Sequence, residues 1–457
     1  MTALPDAGNV PQRKFDLVLR NGRIIDPAKH MDQIADVAIM DGKIAAIEAN
    51  IDPKRSRRDI NVAGLVVSPG LIDLHVHCNL YRNPESLDPT AAGVYTGVTR
   101  MVDPGDSGAY TFQSFRKAII QNTPTRIHSW LNAAGLGGFM YGLYNTDAIL
   151  HHSMIDVDAA VELARLYPEH IAGIKTYCAP EGWGSPDGTQ IYERALEIAN
   201  RANIPLYIHS GSPSPEGYLA YGGKPVLYGE EVTREQALTR MLEILRPGDV
   251  VAHPFSTFFG TAWNHVENRI SRGVKEAYAR GIHFDSGRGA HYSFVNVRNL
   301  MEAGVLPFTL SSDRHAEDSH DEFIRKASVG LCQHMSEFLA FGLSLNDVIA
   351  RTTANPAKVL RIQDRAGSLH IGKPAEITVL AVREGDWTLH DAPFFGKPPN
   401  TLKAKQMLTA VMTVVDSKVY PVNPAFLPDL QELQVQEDVW SWMKERPAHH
   451  TEYKPAK

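Results

Sequence analysis

Cysteine is scarce. There are three in 457 residues, Cys78, Cys178 and Cys332, too few for a disulfide framework and in keeping with a reducing cytoplasm. No apolar run reaches the length of a membrane span, and the first dozen residues lack the apolar core of a secretory signal. Blocks of like charge are also missing. The formal net charge of -6 is spread along the chain without a basic run, so neither nucleic acid nor a membrane is an expected partner. A dinucleotide fingerprint is absent too: the nearest candidate, Gly135-x-Gly137-Gly138, lacks the required spacing. The expectation left standing is a cytoplasmic protein that acts on a small molecule.

What the chain does have is a short stretch from Ser68 to His77, Ser-Pro-Gly-Leu-Ile-Asp-Leu-His-Val-His. Side chains alternate across a strand, so His75 and His77 project from one face while Leu74 and Val76 pack on the other. Two imidazoles so placed suit a metal ion, although in a chain with 19 histidines such a pair also arises by chance.

Beyond this run (71–77), strand-like segments recur at 97–103, 126–132, 171–177, 204–209, 250–253, 281–285 and 308–313. Amphipathic stretches lie between several of them: Thr111 to Gln121, Asp156 to Tyr167, Tyr192 to Arg201, Arg234 to Leu245 and Val274 to Arg280. Eight strands spaced this way predict an α/β fold, a (β/α)8 TIM barrel rather than an open doubly wound sheet. In such a barrel the chemistry sits at the carboxyl ends of the strands, where this chain places Lys175, His209, His253 and Asp313. Each alone has an ordinary explanation, a hydrogen-bonded core histidine or an aspartate that caps the next helix. Converging with the histidine pair on one pocket, they would leave several buried polar groups unpaired unless a metal were bound.

The set His75-x-His77, Lys175 in Gly-Ile-Lys-Thr, His209 in Tyr-Ile-His-Ser-Gly, His253 in Ala-His-Pro-Phe and Asp313 in Ser-Ser-Asp-Arg-His resembles the binuclear metal site of the amidohydrolase superfamily. The likeness is greatest to the dihydroorotase-like and deacetylase-like branch, and it covers most of the chain. Residues 14–64 resemble the family's opening β-sandwich strands, and Thr352 to Ala357 with 367–380 resemble the return to it. A composite β-sandwich over 12–66 and 355–421 is therefore implied, with the barrel over 67–354 between its halves. The resemblance further implies that His75 and His77 with Asp313 hold the more buried of two divalent ions, zinc being the expected one. His209 and His253 would hold the other, and Lys175 would bridge them as N6-carboxylated lysine. A homo-oligomer is implied as well. The stretch from Asp285 to Phe294 looks like the deacetylase-like branch, where a Gly-His-Gly is implied; here the middle residue is Arg288.

The residue types suit that chemistry. Nitrogen and oxygen ligands around an open position fit zinc, which lowers the pKa of bound water to about 7. Two ions roughly 3.5 to 4 Å apart can share the hydroxide while one polarises the substrate carbonyl. An ammonium repels metal, so Lys175 is either a barrel lysine paired with a carboxylate or, as the resemblance implies, is carboxylated by carbon dioxide, and a low-dielectric strand end favours the neutral amine this needs. Asp313 is expected to accept the proton during attack and to pass it to the departing amine or alcohol. His315, Tyr177 and Asn79 are candidate substrate contacts. Arg288 either binds a substrate carboxylate or carbonyl or is a solvated loop arginine.

Departures from neighbouring subfamilies narrow the reaction. A dihydroorotase is expected to carry arginine two residues after the second histidine, where this chain has Asn79; the mononuclear deaminases place a glutamate where it has Ser212. What remains is hydrolysis of a small-molecule amide or ester, first an open-chain N-acyl amide or N-acyl amino acid. A cyclic amidase of hydantoinase, imidase or dihydroorotase type and a lactonase or esterase are the alternatives. A scaffold without turnover is disfavoured because all six ligands are present. Phe139, Tyr141 and Tyr144, with Phe255, Phe258, Phe259 and Trp263, suit an apolar or aryl acyl group, or else pack on one another or on a neighbouring subunit. The long segment 210–231 suits a lid or subunit arm. Residues 422–457 read as a helical extension and tail, Leu430, Leu433, Val439, Trp440, Trp442 and Met443 giving an apolar face that stops before Pro447.

Overall fold

The computed structural model describes residues 14–80, 86–138, 152–177, 189–211, 231–315, 329–392 and 399–422. The predicted terminal helix, the first aromatic loop (139–150), Cys178, and the segment after Gly211 up to 230 lie outside them.

The chain opens in antiparallel strands whose apolar residues turn inward: β1 (Leu17–Asp26), β2 (Met31–Met40) and β3 (Lys43–Glu48). The turn between β1 and β2 is set by Asp26, whose carboxylate accepts the Ala28 amide at 3.1 Å ahead of a short 3-10 turn begun by Pro27. β4 (Asp59–Asn61) and β5 (Val66–Pro69) both run parallel to β1, on either side of a register shift between Leu19 and Gly22.

The second sheet begins two residues later with β6 (Leu71–Asp73). It continues through β7 (Val98–Asp103), β8 (Arg126–Asn132), β9 (Ile171–Tyr177), β10 (Leu206–His209) and β11 (Val250–Ala252). After a small hairpin of β12 (Trp263–Asn264) and β13 (Arg269–Ile270) comes β14 (His283–Asp285). All seven main strands pair in parallel in sequence order. Right-handed strand-helix connections put helices on the outside, and they lie close to the predicted positions: Phe112–Ala118, Val157–Leu166, Thr189–Ala202, Glu231–Ile244 and Val274–Ala279. Asp156, for example, caps its helix by accepting the Ala159 amide at 3.0 Å, and Ala160, Val161 and Ala164 are the buried face. No described helix is long and apolar enough to cross a membrane.

The predicted eighth strand, 308–313, makes no full ladder. It closes the circle through single parallel bridges, Thr309 to Asp285 on one side and Arg314 to Val76 on the other. The result is a (β/α)8 barrel with a second sheet packed against it. The last three strands, β15 (Glu376–His390), β16 (Thr401–Val415) and β17 (Lys418–Pro421), return to the first sheet, β15 lying antiparallel on β5. Arg100 of β7 ties the two bodies together by pairing with Glu376 at 2.5 Å and touching His128 Nε2 at 2.6 Å.

Strand alternation sorts side chains between the two faces of the barrel wall. Leu71, Met101, Leu131, Ile174, Ile208 and Val251 meet the helices, whereas Ile72, Leu74, Val102, Trp130, Tyr207 and Val250 form a separate apolar cluster. Lys175 alternates with Ile174 and pairs in register with Tyr207, so it shares the inner face. Its approach needs Gly105, which sits at φ +106 and whose Cβ, were there one, would lie 2.8 Å from Lys175 Cγ.

Candidate metal centre

His75 and His77 follow β6, Lys175 lies on β9, His209 ends β10, His253 follows β11, and Asp313 lies on the closing segment. These six converge. His75 Nε2 is 3.1 Å and His77 Nε2 3.5 Å from Asp313 Oδ1; the rings of His75 and His209 stand 4.9 and 4.4 Å from that of His253. All six are buried or nearly so. His253 and Asp313 both hold left-handed backbone, φ 63 and 48, a conformation unusual for non-glycine residues and often found where a side chain must be aimed at a site.

The tautomers of three histidines follow from their partners. Tyr207 donates its hydroxyl hydrogen to Asp285 at 2.6 Å, so His75 Nδ1, 2.8 Å from that hydroxyl, must be the donor between them. His77 Nδ1 meets the Asp106 carboxylate at 2.8 Å, and His253 Nδ1 meets the Gly287 carbonyl at 2.7 Å; both partners only accept. For the neutral rings of His75 and His253, Nε2 is then a bare lone pair, and that of His75 faces Asp313 Oδ1, itself an acceptor. His253 Nε2 and Asp313 Oδ1 are buried without a hydrogen-bond partner. Lone pairs turned on one another inside a protein are stable only with a cation among them. The donor set therefore fits a metal, and its imidazole and carboxylate character suits zinc.

Donor atoms of His75, His253 and Asp313 lie within 4.8 Å of one another, as do those of His77, Asp313 and His315, and those of His209, His253 and His291. A model of the amidohydrolase family matches residues 257–417. A deacetylase of Agrobacterium fabrum is 30% identical over 353 residues, 77% of this chain and 79% of that protein. The chain belongs to the amidohydrolase superfamily. It is a metal-dependent hydrolase acting on carbon–nitrogen bonds. Among solved structures, a dihydroorotase is 27% identical with a TM-score of 0.72, covering 89% of this chain and 97% of that one. An adenine deaminase at 24% identity shares the fold, with a TM-score of 0.75 over 89% of this chain and all of that one.

Burial dominates the electrostatics of this amidohydrolase. It lowers the His75 imidazole to about 3 and pushes those of His209 and His253 well below their usual range. Burial opposes charge on His77 as well, but Asp106 and Asp313 outweigh it and raise that imidazole. Burial would also raise the Asp313 carboxyl; the surrounding imidazoles, His75 first among them, hold it well below the usual carboxylate range instead. Burial lowers the Lys175 amine to about 8 against the pull of Asp313 and three further aspartates. Asp73 is pushed up to about 7, again by burial, while it accepts the Ser312 amide and hydroxyl at 3.0 and 2.6 Å and so braces the segment that carries Asp313.

The remaining sequence candidates divide. His315 stacks on His77 at 4.2 Å between centroids, with Nε2 3.8 Å from Asp313 Oδ1. Asn79 is fully buried with neither amide atom hydrogen-bonded. Tyr177 is placed as the ladder partner of His209. Arg288 departs from the solvated-loop alternative. It is buried rather than solvated, and its guanidinium meets Glu337 at 2.9 Å and the His390 carbonyl at 2.9 Å. The residue missed was His291, three positions on. It lies 4.8 Å from the His253 ring and stacks on Phe258 at 4.3 Å, and its buried Nδ1 has no partner. The lone histidine of the loop that carries Arg288 was the available signal. Asp106 and Tyr207 were also missed, being tied to the histidines only through space.

Proposed function

We propose that the protein hydrolyses an open-chain N-acyl amide, with an N-acyl amino acid as the substrate class. The observation that carries this reading is the 30% identity with a deacetylase over more than three quarters of each chain. Asn79 adds to it: a neutral amide at this point cannot supply the positive charge expected of a dihydroorotase.

Two divalent ions, zinc in this proposal, would be held by His75, His77 and Asp313 and by His209 and His253, with Lys175 carboxylated between them. When bound they supply hydroxide at neutral pH and polarise the substrate carbonyl. The side chains do the rest. Lys175, with its amine lowered to about 8, has a neutral fraction able to take up carbon dioxide near neutrality. Asp313 stays ionised, and it can accept the proton of the attacking water and return it to the departing nitrogen. Buried polar atoms without partners, His291 Nδ1 and the Asn79 amide, are left for the substrate, which would satisfy them on binding.

The test is a panel of N-acyl amino acids, esters, hydantoins, dihydropyrimidines and other cyclic imides, offered to protein loaded with zinc and bicarbonate and read by mass. Gain of water with release of two products supports the proposal. Gain of water within one product makes the protein a cyclic amidase, the reading favoured by its likeness to the dihydroorotase structure. Cleavage of esters alone makes it an esterase. Lys175→Ala should abolish whichever activity appears.

A further inference from the structure

The metal-site histidines are not held alike. His77 is tied directly to a carboxylate and His253 to a backbone carbonyl, whereas between His75 and its carboxylate stands a phenol. Tyr207 is fully buried on the barrel's inner face, stacked on Trp130 at 4.7 Å with 20° between the planes. Trp130 is fixed in turn by its indole N–H on the Leu74 carbonyl at 2.9 Å. Asp285 also accepts from Thr309 Oγ1 at 2.6 Å and from Ser311 Oγ at 2.5 Å, so hydroxyl donors surround it. Its carboxylate reaches His75 through the Tyr207 oxygen.

We propose that Tyr207 is a positioning residue: it transmits the acceptor strength of Asp285 to His75 Nδ1 and thereby keeps the His75 Nε2 lone pair aimed at the ion shared with Asp313. A phenol whose single hydrogen is given to a carboxylate can only accept from the imidazole. That forces the proton onto Nδ1 and turns the other nitrogen into a ligand. Partners of this kind, standing behind a metal-bound histidine, typically contribute about 10- to 100-fold in metal affinity. The anchoring of Asp285 by Thr309 and Ser311 adds a further link, because those residues lie on the segment that ends in Asp313. One hydrogen-bonded loop thus orients two donors to the same ion. The proposal rests on the metallohydrolase reading.

The test is stepwise zinc titration of metal-free wild type, Tyr207→Phe, Asp285→Asn and the double variant, in competition with a chromogenic chelator. Phenylalanine keeps the ring and its stacking on Trp130 and removes only the oxygen, and circular dichroism confirms folding. The expected result is that Tyr207→Phe weakens one of two zinc-binding steps by about 10- to 100-fold and leaves the other unchanged. The double variant should lose no more than the worse single variant, because both act through one relay. If Tyr207→Phe fails to fold, Asp285→Asn carries the comparison with wild type alone. Unchanged zinc affinity in the folded variants, or losses that simply add in the double variant, would overturn the relay while leaving the hydrolase reading intact. Failure of the wild type to bind zinc or any other divalent ion would overturn both.

Discussion

His75 Nε2 and Asp313 Oδ1 face each other across 3.1 Å with a hydrogen on neither, because the histidine's proton is fixed on the opposite side of its ring by Tyr207. This repulsion is relieved by a cation, so metal should be part of the protein's stability. Chelation is expected to lower Tm and added zinc to restore it, with about 2.7 kcal/mol gained when free metal stands a hundredfold above Kd. Scanning calorimetry checks this; an unmoved Tm would count against a metal at this place.

Asp313→Asn keeps the shape of the side chain and removes its basicity. Activity on the best substrate of the panel should fall by about 10²- to 10⁴-fold. Zinc content, measured on the same sample, separates loss of proton transfer from loss of metal. A variant that retained its zinc and most of its rate would remove Asp313 from the proton-carrying role.

Carboxylation of Lys175, as proposed, would make activation depend on pH. Its amine, lowered by burial to about 8, is protonated below that value, so the neutral fraction that reacts with carbon dioxide grows about tenfold per pH unit up to that point. Decarbonated protein given zinc and a fixed level of dissolved carbon dioxide should therefore regain activity about tenfold faster at pH 7 than at pH 6. Equal rates would dissociate activation from this lysine.

Acid should weaken the fold partly through His283, outside the metal centre. Burial, with Lys358 adding to it, lowers this imidazole from 6.5 to about 4. The unfolded chain then binds more protons between those values, so the contribution is complete above pH 6.5 and is lost as pH falls toward 4. The ring stacks on Phe308 at 3.7 Å, so His283→Phe preserves the contact and removes the titration. The drop in Tm from pH 7.5 to pH 5 should be smaller in that variant than in the wild type.

Glu337 balances Arg288 where no solvent reaches, and His334 Nδ1 meets the same carboxylate at 2.7 Å. Glu337→Ala strands a buried guanidinium and is expected to destabilise by about 3–5 kcal/mol. Chemical denaturation measures it; a loss under 1 kcal/mol would mean that the pair is open to water.

Residues at strand ends were legible because the barrel's period and its polarity along each strand are written locally: His75, His77, Lys175, His209, His253 and Asp313 could be found by counting runs, and they do meet. The helices were legible for the same reason. Asp106, Tyr207 and Asp285 serve the site through hydrogen bonds that span 29 to 132 positions, which no local pattern records. His291 lies in an irregular loop with no periodicity to mark its direction, beside Arg288, whose buried partner is 49 residues away on the helix Leu331–Ala340. The eighth strand shows a subtler gap: apolar content announced a strand, but Asp313 must leave extended geometry at φ 48 to face inward, and the ladder there gives way to single bridges.

That weak ladder joins the first and last turns of the barrel. Between Val76 and Arg314 the wall is held by a single backbone bridge, with Ser312 tied to Asp73 beside it, and the predicted metal donors on the two sides are His75, His77 and Asp313. An ion held by these donors, as proposed, would work as a rivet across the cylinder's seam. Closing the wall and completing the coordination sphere would then draw on the same three residues.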